Sequence, residues 1–259
     1  MPRQKNKQPM SALQELLLKM ADDALVTGHR NSEWTGLGPI LEEDIAFSSM
    51  AQDQIGHALS LYTILHEQQG FPAPDEMAFL RSVGDVRCCH FVELPIGEYD
   101  FSLMRHFLYD HAAAIRFDML SSSSYEPLAR LSRKIKGELK YHVLHANSWI
   151  TRLGHGTEES HARMQSALQY AMPFALGLFE TGDDEEELIA QAIFQGEELL
   201  QEYWEKQIRA QLQKAGLDFP EVTEKRIACG GRVGNHTVHL SRLLEEMAEV
   251  IKLEEGVEW

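Results

Sequence analysis

The chain has 259 residues and a mass of 29.5 kDa, with 44% apolar and 25% charged residues, an ordinary balance for a globular protein with a sizeable core. Forty acids against 24 lysines and arginines leave a net charge of −16, which argues against bulk nucleic-acid binding and against attraction to an anionic membrane. The three cysteines (Cys88, Cys89, Cys229) are too few for a disulfide framework, no stretch nears ~18 consecutive apolar residues, and the basic start MPRQKNKQPM has no apolar segment behind it, so a cytoplasmic protein is expected.

Residues 1–9 read as a frayed tail and 10–259 as a single domain. Leu13, Leu17, Met20 and Ala24 recur at helical steps, so a first helix is expected to start at a Ser11 cap and end near Gly28. A second runs from about Ile40 to Gln69, closed by Gly70 and Pro72. Residues 71–98 are irregular. A third helix begins at Ser102, a fourth spans Tyr125–Gly154, a fifth Glu158–Glu180, and a sixth is expected to run unbroken from the acidic Asp183–Glu187 to Gly216. After a glycine-rich loop over 217–236, a last helix runs from Thr237 to about Lys252. Long helices, no credible strand and no linker predict an all-α antiparallel bundle with extra helices near the C-terminus. Leu16, Leu18 and Leu25, beside the main face of the first helix, are candidates for part of a partner-binding surface or for packing against this chain's own additional helices.

Ferritin-like di-iron bundles place one acid on each of two helices and Glu-x-x-His on each of the other two, because i, i+3 spacing puts both ligands on one face. Here the second helix carries Gln54-Ile-Gly-His57, the third Asp110 among small and apolar neighbours, and the fourth Leu139 three residues before His142. Two readings follow: a metal held by His57, Asp110 and His142, or three polar groups hydrogen-bonded inside a core. Gln supplies only a neutral oxygen and Leu none, so two irons would lack most of their compensating charge. Asp53 and Glu138 stand four residues before their own histidines, either as orienting acids or as solvent-facing ones. His142/His145 and His236-x-x-His239 lack a clear third ligand for zinc, and His236 and Thr237 fit capping or surface hydrogen bonding better. Adjacent Cys88 and Cys89 are not a redox C-x-x-C and read as buried thiols. Arg130, Arg133, Lys134, Lys136 and Lys140 form a basic stripe, suited to an anion such as a CoA phosphate, to an acidic partner, or simply to solvent.

The segments Gln52-Asp53-Gln54-Ile55-Gly56-His57, Tyr109-Asp110-His111-Ala112-Ala113 and Lys136-Gly137-Glu138-Leu139-Lys140-Tyr141-His142 resemble the ferritin-like subunits of the bacterial phenylacetyl-CoA 1,2-epoxidase. Arg30-Asn31-Ser32-Glu33-Trp34, the stretch from Gly230 to Leu240 and Glu246-Met247 resemble its PaaC-type, non-catalytic subunit more narrowly. By this resemblance the family's ligand acids fall on Ala24, Gln54 and Leu139, while His57, Asp110 and His142 remain. The resemblance thus implies a structural subunit without its own cofactor. Its partner would be a catalytic di-iron subunit that adds one oxygen atom of O₂ to the aromatic ring of phenylacetyl-CoA, with electrons from an NADPH-linked reductase. A CoA thioester near the interface, self-association of the isolated chain, and no nucleic-acid or membrane partner complete the expectation. The alternative is a free-standing ferritin-like metalloprotein with one metal at His57, Asp110 and His142.

Overall fold

The computed structural model describes residues 10–253, so the tail expected over 1–9 lies outside the described residues. Among the described residues eleven α-helices follow one another: α1 (Ala12–Ser32), α2 (Leu41–Gln69), α3 (Pro74–Phe79), α4 (His90–Glu93), α5 (Tyr99–Leu120), α6 (Glu126–Gly154), α7 (Glu158–Ala175), α8 (Glu185–Ala190), α9 (Glu197–Ala215), α10 (Val238–Met247) and α11 (Glu249–Leu253). No strand occurs among the described residues, and none of their helices is long and apolar enough to cross a membrane.

Local signals set several ends. Ser11 and Gln14 form a reciprocal capping box that starts α1, and Gly70 in the left-handed conformation (φ 73°) stops α2. Gly28, expected to end α1, lies inside it, because a Cβ there would meet an Ile55 side-chain carbon at 2.8 Å and the Ala51 carbonyl at 3.2 Å on α2. It is a close-packing glycine. The expected single helix over 183–216 is two, broken where Ala192 (φ 55°) and Gly196 (φ 101°) leave right-handed space.

Cross-helix bonds fix the topology. Tyr62 with Asp22 and the Gly28–Ile55 approach make α1 and α2 antiparallel. Asp118–Lys136 and His106–His145 do the same for α5 and α6. Gln54–Asp110 and Glu43–Tyr99 show that α2 and α5 run parallel, joined by the long crossover through α3 and α4. The result is a ferritin-like four-helix bundle of α1, α2, α5 and α6, all-α among the described residues, with α7 and α9 packed on α5 and α6, α8 on α1, and Leu240 and Leu243 of α10 joining the same core.

The main core joins Leu17, Leu61, Phe107, Ile135 and Leu168 to Trp204 of α9, whose indole N–H donates to the Leu108 carbonyl at 2.9 Å. Leu16, Leu18 and Leu25 are all buried within it, because α4 and α8 as well as α2 cover α1. They supply no partner surface; of the two expected readings, packing against this chain's own helices holds. The loop after α9 folds back as a clasp. A Cβ on Gly231 would lie 2.2 Å from the Cys88 carbonyl, so only glycine lets the two backbones meet. Beside it Arg232 donates to both oxygens of Asp23 on α1, at 2.8 and 2.7 Å.

Candidate functional site

The inward residues of the bundle meet at mid-height. Ala24, Gln54, His57, Asp110, Leu139 and His142 are all buried, on the four central helices. Gln54 Nε2 donates to Asp110 Oδ1 at 3.1 Å, and His142 Nδ1 lies 3.6 Å from the same oxygen. His106, one turn before Asp110, meets its other oxygen through Nδ1. The bundle therefore brings Gln54, Asp110 and His142 together and adds His106, which spacing alone does not mark. Its signal is retrospective: His106 and Asp110 stand at i, i+4 on the buried face of α5.

The two expected orienting acids exchange partners across the α2–α6 seam. His57 bonds Glu138 of α6 at 2.7 Å, and His142 bonds Asp53 of α2 at 3.0 Å. Each acid was expected either to orient the histidine four residues on in its own helix or to face solvent; instead each reaches the histidine of the facing helix. Antiparallel packing sets residue 57 level with 138 and 53 with 142, so the shortest bonds run between helices rather than along them.

Charge follows from this geometry. Burial alone would lower the His142 pKa, but Asp110 and Asp53 reverse the effect and raise it to about 9. Burial would raise Asp110, yet His106 and His142 hold it well below the usual carboxylate range. His57 and His106 are lowered, chiefly by burial, with Glu138 and Asp110 respectively opposing. At neutral pH the centre thus holds the Asp110 carboxylate with protonated His142, while Asp53 caps the imidazolium from outside. Above it His145 Nδ1 and His106 Nε2 are 3.2 Å apart, and His145 Nε2 meets Glu43 at 3.0 Å. Tyr99 donates to the same Glu43 at 2.7 Å. At the lower end Ala24, Gln54 and His57 border a void of only about 20 Å³.

The donor set at the centre is one inner carboxylate, one amide nitrogen turned toward it, and the three imidazoles of His57, His106 and His142, each already bonded to an acid. Leu139 is fully buried where the resemblance places a ligand acid, and Ala24 offers no donor. Two divalent ions would require opening the Asp110–His142 and Asp53–His142 contacts and would still meet too little negative charge.

Cys88, Glu93 and His236 form a second close group. Thr237 caps α10 as expected, its hydroxyl accepting from the His239 amide at 3.2 Å, whereas the His236 ring, expected in a cap or a surface hydrogen bond, is buried with both nitrogens used: Nδ1 meets Glu93 at 2.7 Å and Nε2 the Val86 carbonyl at 2.9 Å. The other Glu93 oxygen accepts from the Thr237 amide at 2.7 Å, and burial raises the Cys88 thiol. A metal there would have to displace the Glu93–His236 bond. The group pins the clasp loop to the crossover.

Arg130, Arg133, Lys134, Lys136 and Lys140 are exposed along α6. Arg133 is engaged with Glu126 at 2.8 Å, and Lys136 with Asp118 of α5. Arg130 and Lys134 stand on the face that also carries Tyr141, at i, i+4 and i+11.

A family model described as "Phenylacetic acid catabolic protein" matches residues 1–259. The C subunit of the 1,2-phenylacetyl-CoA epoxidase of Escherichia coli (strain K12) is 30% identical over 250 residues, which cover 96% of this chain and 100% of that protein.

Proposed function

The chain belongs to the phenylacetic acid catabolic protein family, and from that premise we propose that it is the structural, non-catalytic subunit of a phenylacetyl-CoA epoxidase, acting as one domain over residues 10–259 in the cytoplasm. The observation that carries the reading is the self-compensated centre. Protonated His142 occupies the electrostatic place of a metal beside Asp110, Gln54 donates where a ligand acid would accept, and Leu139 is apolar. Such a centre is a stable core element and a poor host for two irons. The di-iron cofactor then belongs to a catalytic partner subunit, which this chain holds in register. The basic residues Arg130, Arg133, Lys134, Lys136 and Lys140 are proposed to contribute to holding the CoA thioester or an acidic part of the partner. The isolated chain is proposed to self-associate, more weakly than it binds that partner because each copy carries −16.

The competing single-metal reading through His57, Asp110 and His142 requires His57 to give up Glu138, or His142 to give up both acids. The test is reconstitution. Tagged catalytic subunit should retain this chain, and, with O₂ and an NADPH-linked reductase supplied, only the mixture should convert phenylacetyl-CoA. Turnover by this chain alone, or failure to co-purify, would overturn the proposal.

A further inference from the structure

The outward face of α2 lacks the charge that the rest of the chain carries. Between Asp44 and His66 the charged or histidine residues of α2 are Asp53 and His57, and both are bonded into the α6 seam. What faces outward over that span is Ile45, Ser49, Gln52, Ile55, Gly56 and Leu59. With Leu41 one turn earlier, the apolar members recur at helical spacing over 18 residues, roughly 27 Å. Leu41, Ile45 and Leu59 are 69%, 61% and 53% exposed. Across the seam Tyr141 and Leu144 of α6 stand out at 72% and 62%. With Ile55 these side chains offer roughly 700 Å², more than the ≈300–600 Å² patch of a typical monomer and close to the ≈800 Å² each partner contributes to a stable interface.

The backbone supplies an independent sign. Gly56 and Gly137, the residues just before the bonded pair His57 and Glu138, are exposed in the middle of α2 and α6. A Cβ at either would meet nothing within 4 Å, so no contact inside this chain requires glycine. Glycine weakens a helix interior relative to alanine, whereas it permits close approach by another backbone.

We propose that this α2–α6 face is the docking surface for a helical face of an unlike subunit, with apolar side chains lying along α2 and an acidic rim. This rests on the structural-subunit reading above and adds the place of contact to it. Charge selects the occupant. Two copies of this chain each carry −16 and repel, whereas exposed Arg130 and Lys134 beside Tyr141 complement Asp or Glu at the edge of a partner helix. Depletion of charge at the centre, with Arg130 and Lys134 at the α6 margin and Glu42 at the start of α2, is the anatomy of an interface core and rim.

The test measures affinity between purified catalytic subunit and three forms of this chain: native, Ile45→Glu/Leu59→Glu, and Gly56→Gln. Both substituted side chains of the double variant are exposed, so its circular dichroism and melting should match the native chain. Its affinity should fall at least 30-fold. Gly56→Gln should melt a few degrees higher alone, by helix propensity, and yet bind at least 10-fold more weakly; this second variant carries the test even where the double variant folds poorly. Tyr203→Glu, at an exposed position of α9, serves as a control that binds normally. Native-like binding by both variants overturns the proposal while leaving the subunit reading intact. Loss of self-association by the double variant with unchanged partner affinity assigns the face to a second copy and equally overturns it. Absence of binding by the native chain refutes the subunit reading itself.

Discussion

Replacing His142 by glutamine removes the one cation at the bundle centre, and the cost should depend on pH in a defined way. His142 keeps its proton to about 9 in the folded chain, against an ordinary value of 6.5. Because folding raises the pKa, the stabilisation is complete below pH 6.5 and drains away as pH climbs from 6.5 through 9. At ~1.4 kcal/mol per pH unit the displacement is worth roughly 3 kcal/mol, and partial exposure of Asp53, whose side chain is 38% accessible, trims that figure toward ~2. Urea unfolding of both proteins at intervals from pH 6 to 10 reads the difference. Buried thiols such as Cys88 and Cys89, both raised by burial, destabilise the two proteins alike above pH 9 and cancel. The native chain should lead the variant by several kcal/mol at pH 6.5, with the gap shrinking by about 2–3 kcal/mol by pH 10. A gap that stays constant across this range would refute the claim that a His142 cation is held by Asp110 and Asp53.

Other substitutions probe separate parts of the account. Gln54→Glu with Leu139→Glu should destabilise the metal-free chain by about 3–5 kcal/mol, since two acids enter the core near Asp110, while raising Fe(II) affinity in a titration followed by melting; unchanged stability would mean that residue 139 is not buried. Gly231→Ala should cost roughly 2–4 kcal/mol, because its methyl would strike the Cys88 carbonyl; hydrogen exchange should quicken at residues 86–94, and native protection there would contradict the clasp. Gel filtration of the co-expressed pair should show one complex at both ~0.1 and ~1 M salt, where screening reaches ~3 Å; separation only at high salt would move the contact from the apolar face to the basic row of α6.

The bundle was legible because its helices carry their own punctuation. Ser11 and Gln14 open α1, and Gly70 closes α2, each by a bond local in sequence. Where the cause is tertiary, sequence misled. Gly28 has the look of a stop but exists for the approach of α2, and Ala192 interrupts the acidic helix with a residue type that gives no warning. For Leu16, Leu18 and Leu25 both an outer surface and internal packing stayed open, because periodicity along α1 cannot show that α4 and α8 cover it. The candidate site divides in the same manner. Its six positions lie on inward helix faces, where i, i+3 spacing places them. The exchange of Asp53 and Glu138 between helices, and the part played by His106, depend on antiparallel register, which no single helix encodes. His236 illustrates the remaining gap: its partners, Glu93 and Val86, are more than 140 residues away.

The most direct test of the central claim is metal analysis of this chain alone, purified without chelator from iron-supplemented cells. A centre in which the His142 cation balances Asp110 should retain well under one iron per chain and show no iron-dependent absorption. One or more equivalents of iron, lost together with that absorption on changing His57 and His142, would contradict the account.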